Sequence, residues 1–156
     1  MKMLQILLFA LATSIAAPSF AQDPNSNMEI LRQKIKADKK LVVASNMNLS
    51  EAEAKAFWPI YEEYQTELRK VNEQLAAVIV NYAADFNANT LTDDKALRLV
   101  DQMMMAEQAD TTLKQTFVPR LSKVLPGKKV ARYVQIENKI RAIVRYELAG
   151  GVPLVP

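Results

Sequence analysis

The sequence predicts an all-α fold, and three observations carry that prediction. Glycine is scarce, at 3 residues in 156, and two of the three are adjacent near the end. Sheet proteins place glycine in tight turns, so this scarcity favours long helices with few connections. Phe57, Tyr61, Tyr64, Leu68, Val71, Leu75, Val78 and Tyr82 recur at alternating steps of four and three. That is an apolar seam of about 3.5-residue period, the pattern of a helix packed lengthwise on another helix. Helix-start signatures at Ser50 and Thr92 each precede a long amphipathic segment. The expected architecture is a long antiparallel hairpin with an extra N-terminal and an extra C-terminal helix. Half of the residues are hydrophobic and 24% are charged, the balance of a chain that builds a packed core.

The first segment reads as an export signal. Lys2 gives a short positive start, and Leu4, Ile6, Leu7, Leu8, Phe9, Leu11 and Ile15 form an apolar run of signal-peptide length. The run is too short to span a bilayer comfortably. Ser19 and Ala21 place small residues at both specificity positions of a signal-peptidase site. Residues 1–21 are therefore expected to be removed, which leaves a mature chain starting at Gln22. An uncleaved N-terminal anchor is the other reading. Cysteine is absent after the run, so no lipid anchor is expected there. Residues 22–156 then form a single helical domain, with 22–27 a polar, flexible start around Pro24.

The elements follow in order. Residues 28–44 read as a helix with Ile30, Leu31, Ile35, Leu41 and Val42 on one side, broken by Asn46-Met47-Asn48. Ser50 caps the next helix, and Glu53 completes a capping box. The seam on this helix reads as core. Trp58, Ile60 and Ile79 fall off it and either widen the core or face a partner. Residues 85–90 read as a turn, with Asn87 and Asn89 suited to left-handed backbone. Thr92 caps the third helix, where Asp93 and Asp94 suit the positive N-terminal end. Its inner face is read as Leu99, Met103, Ala106, Leu113, Phe117 and Val124. Met103, Met104 and Met105 point in three directions and read as adaptable packing rather than a copper site.

Leu125-Pro126-Gly127 interrupts the chain, and residues 128–148 form the last helix, with Val130, Tyr133, Ile136, Ile140, Ile143 and Val144 inward. Gly150 and Gly151 are expected to end it, so that 149–156 is a non-helical tail. That tail is apolar and packs either on its own bundle or on a partner. Pro59 and Pro119 lie at equal sequence distances on either side of Asn89. In an antiparallel hairpin the two bends meet at one level and curve it, unless one proline ends its helix early.

Composition excludes much chemistry. With no cysteine, the fold holds together without disulfides, and a mature chain of this length buries enough core for that. With no histidine either, no Ser or Cys nucleophile has an imidazole base. Zinc, copper or haem sites built on His or thiolate are equally excluded. Adjacent carboxylates such as Glu62-Glu63 and Asp93-Asp94 diverge by about 100° on a helix and do not face one reacting group. No enzyme and no cofactor are expected.

Charge is segregated along the chain. Residues 51–110 hold 12 acidic and 5 basic residues, a balance of −7, whereas 111–156 hold 9 basic and 2 acidic, a balance of +7. Such a division supports pairing with another chain or capture of acidic or unfolded partners. An exported chain does not meet nucleic acid, so none is expected as a partner.

Two helix-start segments carry a family resemblance. They are Leu49-Ser50-Glu51-Ala52-Glu53 and, where the last helix begins, Leu125-Pro126-Gly127-Lys128-Lys129. With the signal, a basic first helix, a long hairpin and a last helix, this order resembles the Spy and CpxP family of periplasmic stress proteins. The mark of that family is a repeated Leu-Thr-x-x-Gln motif at helix starts. Here serine replaces threonine once, proline replaces it once, and both glutamines are lost. The likeness of architecture extends over nearly the whole mature chain. It implies a curved, antiparallel helical homodimer in the periplasm, acting as an ATP-independent chaperone or as a repressor of envelope-stress signalling. Metal-responsive members of the family depend on histidines, which this chain lacks.

On the chaperone reading, a cradle of mixed apolar and positive character binds unfolded or envelope proteins. Arg120, Lys123, Lys128, Lys129 and Arg132, beside Phe117 and Tyr133, are the residues expected to supply it. The alternative is a helical scaffold or adaptor subunit that uses the seam and the apolar tail to bind one envelope partner. Neither reading calls for stable membrane insertion after signal cleavage.

Overall fold

The computed structural model describes residues 38–156, which form four helices with no strand among them. They are α1 (Lys39–Met47), α2 (Glu51–Asn87), α3 (Asp93–Leu121) and α4 (Gly127–Gly151). The expected signal 1–21, the start 22–27 and the first part of the expected N-terminal helix lie outside the described residues.

Local chemistry sets the ends of these helices. Asp38 is extended, and its carboxylate accepts from the Leu41 N–H at 3.1 Å, so α1 begins there and no helix runs through Asp38. Asn48, left-handed at φ 47°, stops α1 after the fully buried Met47. The capping box forms as expected: Ser50 Oγ accepts from Glu53 N–H at 3.3 Å, and Glu53 Oε2 accepts from Ser50 N–H at 2.7 Å. Helix α2 then runs for 37 residues straight through Pro59, and α3 also contains its proline, Pro119. Neither proline ends its helix early.

The connection from α2 to α3 uses Asn89 at φ 53°, one of the two asparagines expected to be left-handed. Asp85 secures the turn by accepting from Thr90 Oγ1 at 2.8 Å and from Lys95 Nζ at 2.5 Å. Thr92 caps α3 by accepting from Lys95 N–H at 3.3 Å. Helix α4 departs from expectation at its end. It continues through Gly150 and Gly151, so the non-helical tail begins at Val152 rather than at residue 149.

Helices α2 and α3 pair lengthwise as an antiparallel hairpin, and α1 packs on α4. The first half of the α2 seam is covered on both sides and makes the core. Phe57, Tyr61, Tyr64 and Leu68 meet Phe117 and Leu121 of α3, Val130 and Tyr133 of α4, and Val43 and Met47 of α1. Aromatic rings meet edge to face here, with centroids 5.2 Å apart for Phe57 and Tyr133 and 5.4 Å for Tyr64 and Phe117. Trp58 and Ile60 pack on this cluster from its edge, so they widen the core.

The second half of the seam is different. Val71, Leu75, Val78 and Tyr82 are only half-buried: α4 still flanks Leu75 through Val144, Arg145 and Leu148, and beside Val78 and Tyr82 only the tail residues 152–155 lie next to the hairpin. Two inward assignments fail for related reasons. Val144 is 46% exposed near the outer end of α4, and Met103 is 42% exposed on the distal part of α3.

Candidate functional site

Three arrangements in this frame bear on function: the expected basic cradle, a buried polar network, and an apolar groove at the far end of the hairpin.

Two of the seven cradle residues are not at the surface. Phe117 and Tyr133 are core side chains, buried by the aromatic cluster, and are not available to a partner. Arg120 is half-exposed, pairs with Glu63 of α2 at 2.5 Å and lies 4.7 Å over the Phe117 ring. Lys129 pairs with Glu53 at 2.5 Å and donates to the Asn48 carbonyl at 2.9 Å, which ties α4 to the start of α2. Lys129 is also the main cause that holds the Glu53 carboxyl below the usual carboxylate range. Lys123, Lys128 and Arg132 remain. They are exposed and make no ion pair among the described residues, and they follow one another across the α3–α4 connection.

The polar network lies outside what the sequence reading expects. Glu137 and Asp110 are each only 4% exposed. Lys39 Nζ donates to Glu137 Oε2 at 2.8 Å and to Gln65 Oε1 at 2.7 Å, and Gln65 Nε2 donates to Glu137 Oε1 at 2.9 Å. Three helices, α1, α2 and α4, are joined at this point. Asp110 of α3 meets Arg141 of α4 at 2.6 Å and Lys114 at 3.0 Å. The Arg141 contact is an ion pair rather than an aligned hydrogen bond, and Arg141 Nε is buried without a hydrogen-bond partner among the described residues. Burial pushes the Tyr61, Tyr64 and Tyr133 phenols well above the usual tyrosine range, and the Glu137 carboxylate adds to this. These hydroxyls stay protonated at neutral pH, and Gln65 Nε2 also donates to Tyr133 OH at 3.3 Å.

A spacing signal for both acids is present in the sequence. Leu99, Met103, Ala106, Asp110, Leu113 and Phe117 keep the same four-three alternation as the α2 seam. Tyr133, Glu137 and Ile140 continue it on α4. A charged residue at a seam position is either paired or functional, and here it is paired.

The groove lies where the hairpin is thinnest. Leu75, Val78, Ile79 and Tyr82 of α2 face Leu99, Val100 and Met103 of α3 around a space of about 410 Å³. Residues 152–155 of the tail complete its wall, and Tyr82 OH donates to the Pro153 carbonyl at 3.0 Å. Ile79, one of the off-seam residues, therefore lines the groove instead of the core. Elsewhere on α2 and α3, Val80, Leu97, Met104 and Met105 are exposed.

Among the described residues no group of three or more His, Cys, Asp or Glu side chains is placed to hold a metal ion. None of the described helices is long and apolar enough to cross a membrane. Comparison with known proteins gives no matching family model, no matching relative and no matching solved structure.

Proposed function

We propose that this chain is an exported, ATP-independent chaperone-like or envelope-stress accessory protein that binds unfolded or partner proteins in the periplasm. The observation that carries this reading is the exposed apolar end of the hairpin. Leu75, Val78, Ile79, Tyr82, Leu99, Val100 and Met103 line an apolar groove bordered by residues 152–155, and Val80, Leu97, Met104 and Met105 are exposed elsewhere on the same two helices. Methionine side chains are unbranched and polarisable, which suits contact with clients of varied shape. Lys123, Lys128 and Arg132, which make no ion pair among the described residues, lie toward the opposite end and supply long-range attraction for acidic clients. The resemblance to Spy and CpxP points the same way and adds the expectation of a curved homodimer.

The test is light scattering of a reduced or heat-treated client protein, with and without the mature chain, and without nucleotide or metal. Suppression of aggregation for several unrelated clients is the expected result. Absence of protection at several-fold excess overturns the reading. The adaptor alternative draws support from the preformed groove, which suits one extended segment. A single tight partner recovered in a pull-down, without general protection, favours it.

A further inference from the structure

The tail is the feature that says what the groove accepts. It leaves α4 at Gly151 without helical structure, and Val152 itself is extended at φ −102° and ψ 115°. Its sequence, Val152-Pro153-Leu154-Val155-Pro156, is apolar throughout, and neither proline has an N–H to satisfy. Tyr82 OH holds it at the Pro153 carbonyl, a backbone atom that any sequence provides. The seat is shallow. Leu154 is 91% exposed and Val155 is 58% exposed, although both border the groove.

The join to α4 is built to loosen. Gly150 and Gly151 are helical, neither has positive φ, and a Cβ on either meets nothing within 4 Å. Neither tight packing nor left-handed backbone requires glycine at these positions. What glycine does there is weaken the last helical turn relative to alanine.

We propose that the distal groove docks an extended, apolar, proline-tolerant segment of a client protein, and that the chain's own residues 152–155, which form one side of the groove, partly cover it as a displaceable internal competitor. This rests on the protein-binding reading above and names its ligand. A site that its own tail partly covers binds an external segment with an affinity reduced by the fraction of time the tail is displaced. Strengthening the helical join keeps the tail seated, and removing the tail opens the groove.

The experiment is fluorescence anisotropy with a labelled peptide carrying Val-Pro-Leu-Val-Pro, against a control in which serine replaces the valines and leucine. Four forms of the mature chain are compared, each checked for helicity and mass: wild type, a chain ending at Gly151, Gly150→Ala with Gly151→Ala, and the shortened chain with Val100→Asp. Val100 is half-exposed, so aspartate there is compatible with folding while placing charge in the groove. The expected result is about 5- to 10-fold tighter binding by the shortened chain and several-fold weaker binding by the double alanine variant. Val100→Asp should remove the binding, and the serine control should not bind. Equal or weaker binding by the shortened chain overturns the competitor role. Binding unaffected by Val100→Asp places the site elsewhere and overturns the groove. A wild type that forms dimers and a shortened chain that does not would seat the tail in a second copy and overturn internal competition. Client protection without any peptide binding rejects this inference and leaves the chaperone reading standing. Peptide binding without client protection does the reverse.

Discussion

Arg141 of α4 reaches Asp110 of α3 at 2.6 Å, in the middle of a seam whose neighbouring positions are Ala106, Leu113 and Phe117. The carboxylate side chain is 6% exposed and the guanidinium 17%. Both ions have left water, and the pair fixes how α4 lies against the hairpin.

Removal of one partner should therefore be costly. Arg141→Met leaves Asp110 with Lys114 alone, and Asp110→Ala leaves the guanidinium unpaired. Each should lose about 3–5 kcal/mol in urea denaturation. The double variant Asp110→Leu with Arg141→Met should recover most of that loss, because apolar replacements of similar volume fill the site without a stranded charge. Additive losses in the double variant would show that the two residues do not act as a pair.

The seam should be energetically uneven along its length. Leu68 is buried in the core, so Leu68→Ala should cost about 2–5 kcal/mol. Leu75 is half-buried at an equivalent seam position, and Leu75→Ala should cost roughly half as much. Glu67 forms an exposed pair with Lys70, and Glu67→Ala should cost about 0.5 kcal/mol or less. Thermal melts of the three variants, recorded side by side, give the ranking. Equal shifts for Leu68→Ala and Leu75→Ala would mean that both halves of the hairpin are equally covered.

Acid should uncouple α4 from the start of α2. Lys129 and the Ser50 N–H hold the Glu53 carboxyl below its ordinary value of 4.5. A group lowered in the folded state contributes fully above its ordinary value and loses that contribution as the pH falls through its folded value. Glu53→Gln lacks the contribution at every pH. Wild type should therefore melt higher than Glu53→Gln at neutral pH, and the two should converge as the pH falls below 4.5 and through the lowered folded value. A gap that stays constant through this range would show that the carboxylate charge contributes nothing.

The exposed cations should govern the speed of capture rather than the fold. Reversal of Lys123, Lys128 and Arg132 to Glu touches no ion pair among the described residues, so helicity by circular dichroism should be unchanged. Association with acidic unfolded clients should slow, and the difference from wild type should shrink with salt, since exposed charges are screened over about 10 Å at 0.1 M. Lys129 is left in place because it fastens α4 to Glu53. A reversed variant that captures as fast as wild type at low salt would exclude this surface from steering.

Short-range structure is legible in the chain itself. The caps at Ser50 and Thr92 are bonds between residues three apart, and the left-handed Asn89 is a preference of one side chain for one backbone region. The seam from Phe57 onward names the face of α2 that turns inward, because helical periodicity is a property of consecutive residues. Only the tertiary structure decided what covers that face. Tyr64 and Tyr82 share one stripe, yet α1 and α4 close over the first and leave the second beside an open groove. Phe117 and Tyr133 stand among basic residues along the chain, which suggests a surface that a partner could reach. They are core because Phe57 and Tyr64, distant in sequence, meet them edge to face. Asp110 and Glu137 are tolerable inside only because Arg141 and Lys39 arrive from other helices, and the tail is held because Tyr82 lies beside Pro153. Periodicity along a chain says which way a side chain points, and the partner it finds there is set by how distant helices come together.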